Sequence, residues 1–539
     1  MKCALRLHSG SARTIVFVAF TILLVGGCAT KSSGLWMGSG GTSGMGGSVD
    51  SGGVTGIGGI RSMEGGVAAD GIPGAGGASG VGGAGGNDGR TGADGGGQSE
   101  VTTASVKVDR AKKAGTIGPG FAGLSYEKSH LNSGFFTPEN AALIGLFKRL
   151  GPSVLRIGGN SVDTTTWAPA GKGKTTNVIG PPDVDALAGF LIATNWSVIY
   201  AVNMAAGDPS AAADEAAYAA KALGEHLYGF EIGNETDLYH SNGDRPTNWT
   251  YSDFLAQWKT FNSAMQAIAP NATFTGPAAA SNYKVFTVPF ANDAAADVVL
   301  LTQHYYRGDG KAATSTLAEL LQPDPALIAM LDALSVASTT NHLAHGYRLA
   351  EANSFYNGGA PGISDGYGTA IWVLDFLFTN ALHGSAGVNF HGGGNGTGYT
   401  PIADNKSVVV EARPDYYGMF LFAQAGQGDL YATTVTIAGV NFSGYTLGLA
   451  DGTTSVVLVN KDEVQTVRAT IALGKAAASA ALTLLTGPSL ASTTGFTVGG
   501  AVIASDGSWT AEPTSAVPVT GATLVVDVPP ASAALLRVQ

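Results

Sequence analysis

The sequence predicts a (β/α)8 barrel joined to an all-β sandwich, preceded by a signal segment and a disordered Gly-rich linker. Three observations carry this expectation. Between residues 119 and 415, short apolar runs alternate eight times with longer amphipathic or alanine-rich stretches. From 416 to 539 the helical period gives way to strand-like runs separated by Gly, Asp, Pro and Thr. Residues 29–100 show neither period.

In chain order, residues 1–28 form a lipoprotein-type signal segment. Lys2, Arg6 and Arg13 precede an apolar run at 15–25 that is too short for an ordinary transmembrane helix. The run closes in Val25-Gly26-Gly27-Cys28, small residues before a cysteine, which resembles a bacterial lipobox. The plainer alternative is ordinary cleavage near Gly27 with an incidental Cys28. The lipobox implies export across the inner membrane and a lipid anchor on Cys28 at the bacterial cell envelope, at the outer membrane, in the periplasm or on the cell surface. Cys3 leaves with the signal, so no disulfide is expected. Residues 29–100 are rich in Gly, Ser and Ala and bury too little apolar surface to offset their ordering entropy. They are expected to act as a tether.

Acidic residues outnumber basic ones, 40 to 29. This excludes a large basic surface, and with it nucleic acid as a partner. Beyond the first thirty residues no stretch is expected to cross a bilayer.

Residues 101–118 open with an alternating run expected to be a strand of the sandwich. The barrel strands are expected at 121–126, 154–157, 198–202, 228–232, 272–275, 298–303, 347–350 and 387–390. Helical patterns at 211–226, 251–267 and 367–382 lie between them. A doubly wound open sheet is the alternative, but it usually has fewer units. Sandwich strands are expected at 433–437, 445–449, 455–460, 466–471, 480–485 and 522–528.

In such a barrel the active site lies where the strands end and eight loops converge. Acidic and polar residues gather there: Glu127, Arg156 to Asn160, Asp163, Asn203, Asn234-Glu235, His304 to Tyr306, Glu351 to Asn353, and His391. Glu235 and Glu351 end strands four and seven, on opposite sides of the mouth. Glycoside hydrolysis needs two carboxyls, one to protonate the leaving oxygen and one to attack or to activate water. Asn234 is placed to bond the hydroxyl beside the reacting carbon. A lone Glu is usually a solvated surface carboxylate. That reading fits poorly for two that directly follow apolar strands.

These residues resemble glycoside hydrolase family 79, the β-glucuronidase and heparanase-like group. The likeness rests on Ser125-Tyr-Glu127, on Leu155-Arg-Ile-Gly-Gly-Asn-Ser-Val-Asp163, and on Glu231-Ile-Gly-Asn-Glu-Thr-Asp237. It continues through Gln303-His-Tyr-Tyr306, Glu351-Ala-Asn-Ser354 with Tyr356 and Gly358, and Val388-Asn-Phe-His-Gly-Gly393. It covers residue 101 to the end, sandwich included. The resemblance implies a retaining β-glucuronidase with Glu235 as acid/base and Glu351 as nucleophile. Its substrate would be an oligo- or polysaccharide, or a glycoconjugate, containing glucuronic acid. Tyr356 and the backbone at Asn357-Gly358 would hold the glucuronate carboxylate. Glu127, Asp163, Tyr305 and Tyr399 would contact hydroxyls or orient the nucleophile, and Asn234 and Asn353 complete the substrate-binding set. The family usually carries Asn-Glu-Pro where this chain has Asn234-Glu235-Thr236.

Other signals are weaker. Gly118 to Gly123 fits G-x-G-x-x-G, but it precedes a strand rather than opening a helix, and reads as a turn. Gly362-Ile-Ser-Asp-Gly366 fits the serine-hydrolase elbow, yet a loop separates it from its strand. Ser364 is instead expected to cap a helix starting near Asp365. His304, His383 and His391 lack metal-ligand spacing, and no metal or cofactor is implied. Trp258 is expected in the core, and Trp167 near the mouth is left open. Three rival functions remain: a serine esterase, a surface lectin on the same fold, and a related barrel glycosidase for xylosides or arabinofuranosides.

Overall fold

The computed structural model describes residues 101–396 and 398–539. The signal segment, Cys28 and the Gly-rich linker lie outside the described residues. Eight parallel strands close into a barrel in chain order: Ala122–Glu127, Val154–Gly158, Ser197–Val202, Leu227–Ile232, Phe274–Ala279, Leu300–Asp309, Tyr347–Tyr356 and Val388–Gly392. Each overlaps an expected run. The strands are largely apolar because helices cover one face and the barrel interior the other. Val198 to Val202, for example, are all wholly buried.

The main outer helices are Ala141–Leu150, Pro181–Thr194, Pro209–Leu223, Tyr251–Ile268, Thr287–Asp293, Pro325–Thr340, Gly368–Leu382 and Pro414–Ala425. Four of them begin on proline, whose fixed φ suits a first helical turn that lacks N–H partners. Asp208 and Asp324 accept the free N–H groups at two of these starts. Pro414–Ala425 runs across the position, 415/416, at which the sequence places the domain junction.

Residues Leu317–Thr340 do form a stretch apolar enough to cross a membrane by composition, with mean hydropathy 1.2, contrary to expectation. Its two helices, Leu317–Leu320 and Pro325–Thr340, instead bury Leu327, Met330, Leu331 and Leu334 against the barrel.

The β-rich region is one eleven-stranded sheet. The strand Val101–Ile117 lies in its middle, antiparallel to Gly428–Thr436 and parallel to Thr466–Ala472. A strand the sequence did not suggest, Ser532–Val538, pairs with both Thr454–Asn460 and Ala480–Thr486. Hydrogen bonding is continuous along the sheet, where a sandwich would have two separate sheets. It still encloses a shared core of Val106, Leu458, Ile471, Val526 and Leu536. Strand Thr454–Asn460 shows how the sheet meets the barrel. Val456 and Leu458 point into that core, while Val457 and Val459 join the barrel's own cluster. Tyr445 stacks on Phe378 at 4.3 Å and Lys461 pairs with Asp375, both partners on helix Gly368–Leu382. The sheet therefore braces the helix behind the seventh and eighth strands.

Candidate active site

The sixth and seventh strands are longer than expected, so His304 to Tyr306 and Glu351 to Tyr356 lie on strands. Alternation then decides what each residue faces. Thr302, His304 and Tyr306 reach barrel-interior groups, while Gln303 bonds Thr287 of the outer helix layer. Tyr305 belongs to the outward set. Its ring stacks on Phe376 at 5.3 Å and its hydroxyl donates to Asp324 at 2.7 Å. The assignment of Tyr305 to the site is therefore corrected: its neighbour Tyr306 is the one that faces Glu351.

A β-bulge aims the nucleophile candidate. Arg348 is opposite Thr302 and Leu349 opposite Gln303, but Glu351 is opposite His304, leaving Ala350 as an extra residue. The extra residue shifts the alternation by one and turns Glu351 rather than Ala350 into the interior.

Glu351 is 6% exposed. Arg156 Nη1 donates to its Oε2 at 2.7 Å and the Tyr306 hydroxyl to its Oε1 at 2.9 Å. Arg156 also donates to Glu231 at 2.7 Å and to Asn234 Oδ1 at 2.9 Å. One wholly buried guanidinium thus ties strands two, four and seven together. Glu231 takes a further bond from Thr302 at 2.8 Å. Burial pushes the Glu351 carboxyl up, but His391, Arg156 and the Tyr306 hydroxyl together outweigh it and hold the group well below the usual range. Glu351 is ionised at neutral pH.

Glu235 is placed by an unusual backbone. Its φ of 49° lies in the left-handed region, which a non-glycine residue adopts at a cost of about 1–3 kcal/mol. Its N–H donates to Ala278 O at 2.9 Å, and its own carbonyl accepts from Leu238 in the short helix Thr236–Leu238. Asp237 fixes the adjoining loop by accepting from the N–H groups of Ala280, Ser281 and Asn282. Thr236 occupies the first position of that helix, where proline would also fit. Glu235 Oε1 lies 2.9 Å from His304 Nδ1. Burial pushes the Glu235 carboxyl well above its usual range, with the charges of Glu351 and Asp237 adding to it. Burial also pushes His304 down to about 4, so the imidazole is neutral. One oxygen of Glu235, one of Glu351 and a ring nitrogen of His304 lie within 4.8 Å of one another. That trio could also span a metal ion. However, Arg156 already neutralises Glu351, and Glu235 favours its protonated form, so the donor set is poor for a cation.

The remaining expected residues divide into two groups. Glu127 faces the site: its carboxylate accepts from the N–H groups of Asn160 at 3.1 Å and Ser161 at 2.7 Å. A Cβ on Gly159 would sit 2.5 Å from this carboxyl, and Gly159 also has φ 72°, so glycine is required twice over. His391 Nε2 lies 3.8 Å from Glu127 and its Nδ1 3.7 Å from Glu351, with Ser125 Oγ at 3.1 Å. Burial opposes the charged imidazole, but both carboxylates outweigh it and raise its pKa. Asn234 lies between Arg156 and Asn160, and Tyr399 packs against Tyr306 and His391. Tyr356 is half-exposed beside Tyr306, and Gly358 accepts from Gly398 across the rim.

Asn353 and Asp163 are engaged elsewhere. Asn353 is wholly buried, and its Nδ2 donates at 2.9 Å to both His391 O and Tyr399 O. Its Oδ1 accepts from Ser354 N, so Asn353 ties strand seven to the last loop and is not free for a substrate, a second correction. Asp163 Oδ1 accepts from Tyr239 at 2.8 Å and Ala205 N at 3.3 Å, and burial pushes its carboxyl up to about 7.

Ser364 caps no helix, because the helix begins at Gly368. Buried, it accepts from Ala360 N and Ser354 Oγ, and so closes a turn. That leaves no exposed elbow nucleophile. Trp258 is core, and Trp167 is held by Asp214 and Tyr218.

The site also uses Arg156, Glu231, His304, Tyr306 and His391, to which sequence reasoning gave no catalytic part. A signal for the first two exists: a cation in Val-Leu-Arg-Ile-Gly and an anion in Phe-Glu-Ile stand within otherwise apolar barrel strands. Buried charges of opposite sign need each other.

No protein-family model matches the chain. A β-glucuronidase of Aspergillus niger is 27% identical over 270 residues, covering 45% of this chain and 49% of that protein. One of Neurospora crassa is 27% identical over 273 residues, covering 45% and 48%. The chain thus spans about half the length of the curated relatives it matches. A solved 4-O-α-L-rhamnosyl-β-D-glucuronidase from Fusarium oxysporum 12S superposes with a TM-score of 0.68 at 18% identity, over 81% of this chain and 99% of that one. The GH51 arabinofuranosidase of Xanthomonas axonopodis pv. citri gives 0.59 at 15% identity, over 81% and 100%. In fold the chain is similar to glycoside hydrolases with differing substrates. In sequence it is similar to β-glucuronidases in particular.

Proposed function

We propose that the chain is a retaining glycoside hydrolase that releases β-linked glucuronic acid. One observation carries this reading: a carboxyl that favours its proton and a carboxylate that favours its charge, with oxygens within 4.8 Å. A separation of about 5–5.5 Å suits direct attack, whereas an inverting pair leaves about 6.5–9.5 Å for water. In the proposed reaction Glu351 attacks the anomeric carbon while Glu235 protonates the departing oxygen. A covalent glycosyl-enzyme forms. Water, deprotonated by Glu235, then displaces Glu351 and frees glucuronate.

The uronate carboxylate is assigned to the rim at Tyr356 and the turn after it. Asn357, Gly358 and Gly359 have φ of 61°, 83° and 90°, and the N–H groups of Asn357 and Gly358 bond no described residue. Such a turn with free N–H groups can receive an anion without a full positive charge. The likeness to curated β-glucuronidases supports the same sugar. Glu127, Asn234 and Tyr399 are the proposed hydroxyl contacts, and the family 79 resemblance with its sandwich domain belongs to this reading. So does the envelope location through a lipid on Cys28.

The test is a panel of chromogenic β-D-glucuronide, β-D-glucoside, β-D-xyloside and α-L-arabinofuranoside. Turnover of the glucuronide alone is expected, with Glu351→Ala slower by about a thousand-fold or more. Turnover of the arabinofuranoside instead would favour the specificity of the GH51 fold relative. Full activity in Glu351→Ala would overturn the mechanism.

A further inference from the structure

The barrel's second buried arginine lies at the end opposite the carboxylates. Arg348 stands second in strand Tyr347–Tyr356 and is 2% exposed. Its Nε donates to Asn389 Oδ1. Its Nη2 reaches the carbonyls of Gly120 at 2.8 Å, Phe121 at 3.3 Å and Val388 at 3.5 Å. Its Nη1 has two N–H groups but one acceptor, Ala386 O at 3.3 Å, so one N–H is left over. No carboxylate among the described residues bonds this guanidinium.

A cavity of about 350 Å³ opens beside it, lined by Thr116, Pro119, Tyr228, His345, Arg348 and Ser385 among others. Thr116, Pro119 and His345 are exposed, so its mouth meets solvent. The Tyr228 ring packs on His345 at 5.2 Å, and its hydroxyl bonds no described residue. Burial raises the Tyr228 hydroxyl and the nearby charge of Arg348 opposes it, which puts the two groups within electrostatic reach. Burial holds Arg348 down at about 10, the sign of a cation without a full counter-charge.

We propose that this cavity binds a small oxyanion, of the sulfate, phosphate or carboxylate kind, between Arg348, the Tyr228 hydroxyl and His345. Carbonyl dipoles satisfy most of the guanidinium's donors but do not neutralise its charge. An oxyanion in the cavity supplies that charge and accepts the unused N–H, the hydroxyl and an imidazole N–H. Glycines leave room for the guanidinium itself at the cavity wall: a Cβ on Gly387 would meet Nη1 at 2.3 Å, and one on Gly123 would meet Nη2 at 2.9 Å. The site is independent of the glycosidase reading, since it lies at the far end of the barrel.

The experiment is thermal melting of the whole chain in sodium sulfate against sodium chloride at matched ionic strength. The wild type is expected to show a saturable rise in Tm with sulfate, and phosphate and acetate arms rank the preferred oxyanion. In Tyr228→Phe combined with His345→Ala, the apparent sulfate affinity is expected to fall by about ten-fold or more for each lost bond to the anion. Tyr228→Phe removes a hydroxyl with no protein partner, so the fold survives, and turnover of glycosides is expected unchanged. A shift that follows ionic strength alone, or one equally large in the double variant, would overturn the proposal.

Discussion

Arg156 and Arg348 are both buried in the barrel, at opposite ends, and are held in opposite ways. Arg156 is bound by side chains: carboxylates from strands four and seven and an amide from the loop after strand four. Arg348 is bound almost wholly by backbone carbonyls. Carbonyls have fixed dipoles and cannot take up a proton. Carboxylates can, so the charge of Arg156 is tied to the protonation of Glu231 and Glu351, while no carboxylate among the described residues bonds Arg348. A (β/α)8 barrel puts chemistry at the C-terminal ends of its strands and stability at the other. The two arginines express that division within one interior.

The largest expected effect separates the two ends directly. Arg156→Met leaves Glu231 and Glu351 buried without their cation, which costs about 3–5 kcal/mol. It also removes one of the charges that keep Glu351 ionised and the bond that orients Asn234. Turnover of a glucuronide by folded protein is expected to fall by about a hundred-fold or more. Arg348→Met leaves carbonyls unpaired, at about 1–3 kcal/mol each, and is expected to lower Tm while kcat/KM per folded molecule stays near wild type. Urea melts with active-site-normalised kinetics check both. Loss of kcat/KM in Arg348→Met would erase the division.

A smaller pair tests it within one strand. Tyr306→Phe removes a hydroxyl bond to the Glu351 carboxylate, worth about 1.5–3 kcal/mol, so kcat/KM is expected to drop by about ten-fold or more. Tyr305→Phe removes a bond to Asp324 in the outer layer and should cost stability alone. Equal kinetic losses in both would refute the inward assignment of Tyr306.

That pair also shows how far the sequence could be read. All eight barrel strands were legible because buried parallel strands are largely apolar. Which residues face inward was hidden, since strand six carries polar residues on both parities. Tyr305 and Tyr306 were therefore indistinguishable until register was known. Glu351 was legible as a candidate, but not the reason it points inward: nothing in Leu-Ala-Glu marks Ala350 as the extra residue of a bulge. Asn353 looked free because its partners are backbone carbonyls of strand eight and the loop after it, which have no residue signature. Strand Ser532–Val538 escaped because it is buried on both faces and shows no alternation.

The smallest expected effect concerns stability at the Arg156 end of the barrel, and its sign follows from Glu235. In the fold its carboxyl holds its proton to a higher pH than in the unfolded chain, chiefly through burial and then through the charge of Glu351. Its stabilising contribution is complete below the ordinary carboxylate range and is lost as pH rises through the raised value. Glu235→Gln imitates the protonated form at every pH. The variant and the wild type should therefore be about equally stable in acid. The variant should gain as pH rises, by about 1.4 kcal/mol for each unit of displacement, and level off above the raised value. Glu351 behaves oppositely, its carboxylate contributing stability that is lost as pH falls, but it does so in both proteins and cancels. Urea melts across the acid-to-neutral range measure the difference. A gap that stays constant with pH, or a variant less stable at neutral pH, would show that Glu235 is not held protonated by the fold. Stabilisation together with lost turnover would instead mark Glu235 as a residue kept at a cost to stability for the sake of proton transfer.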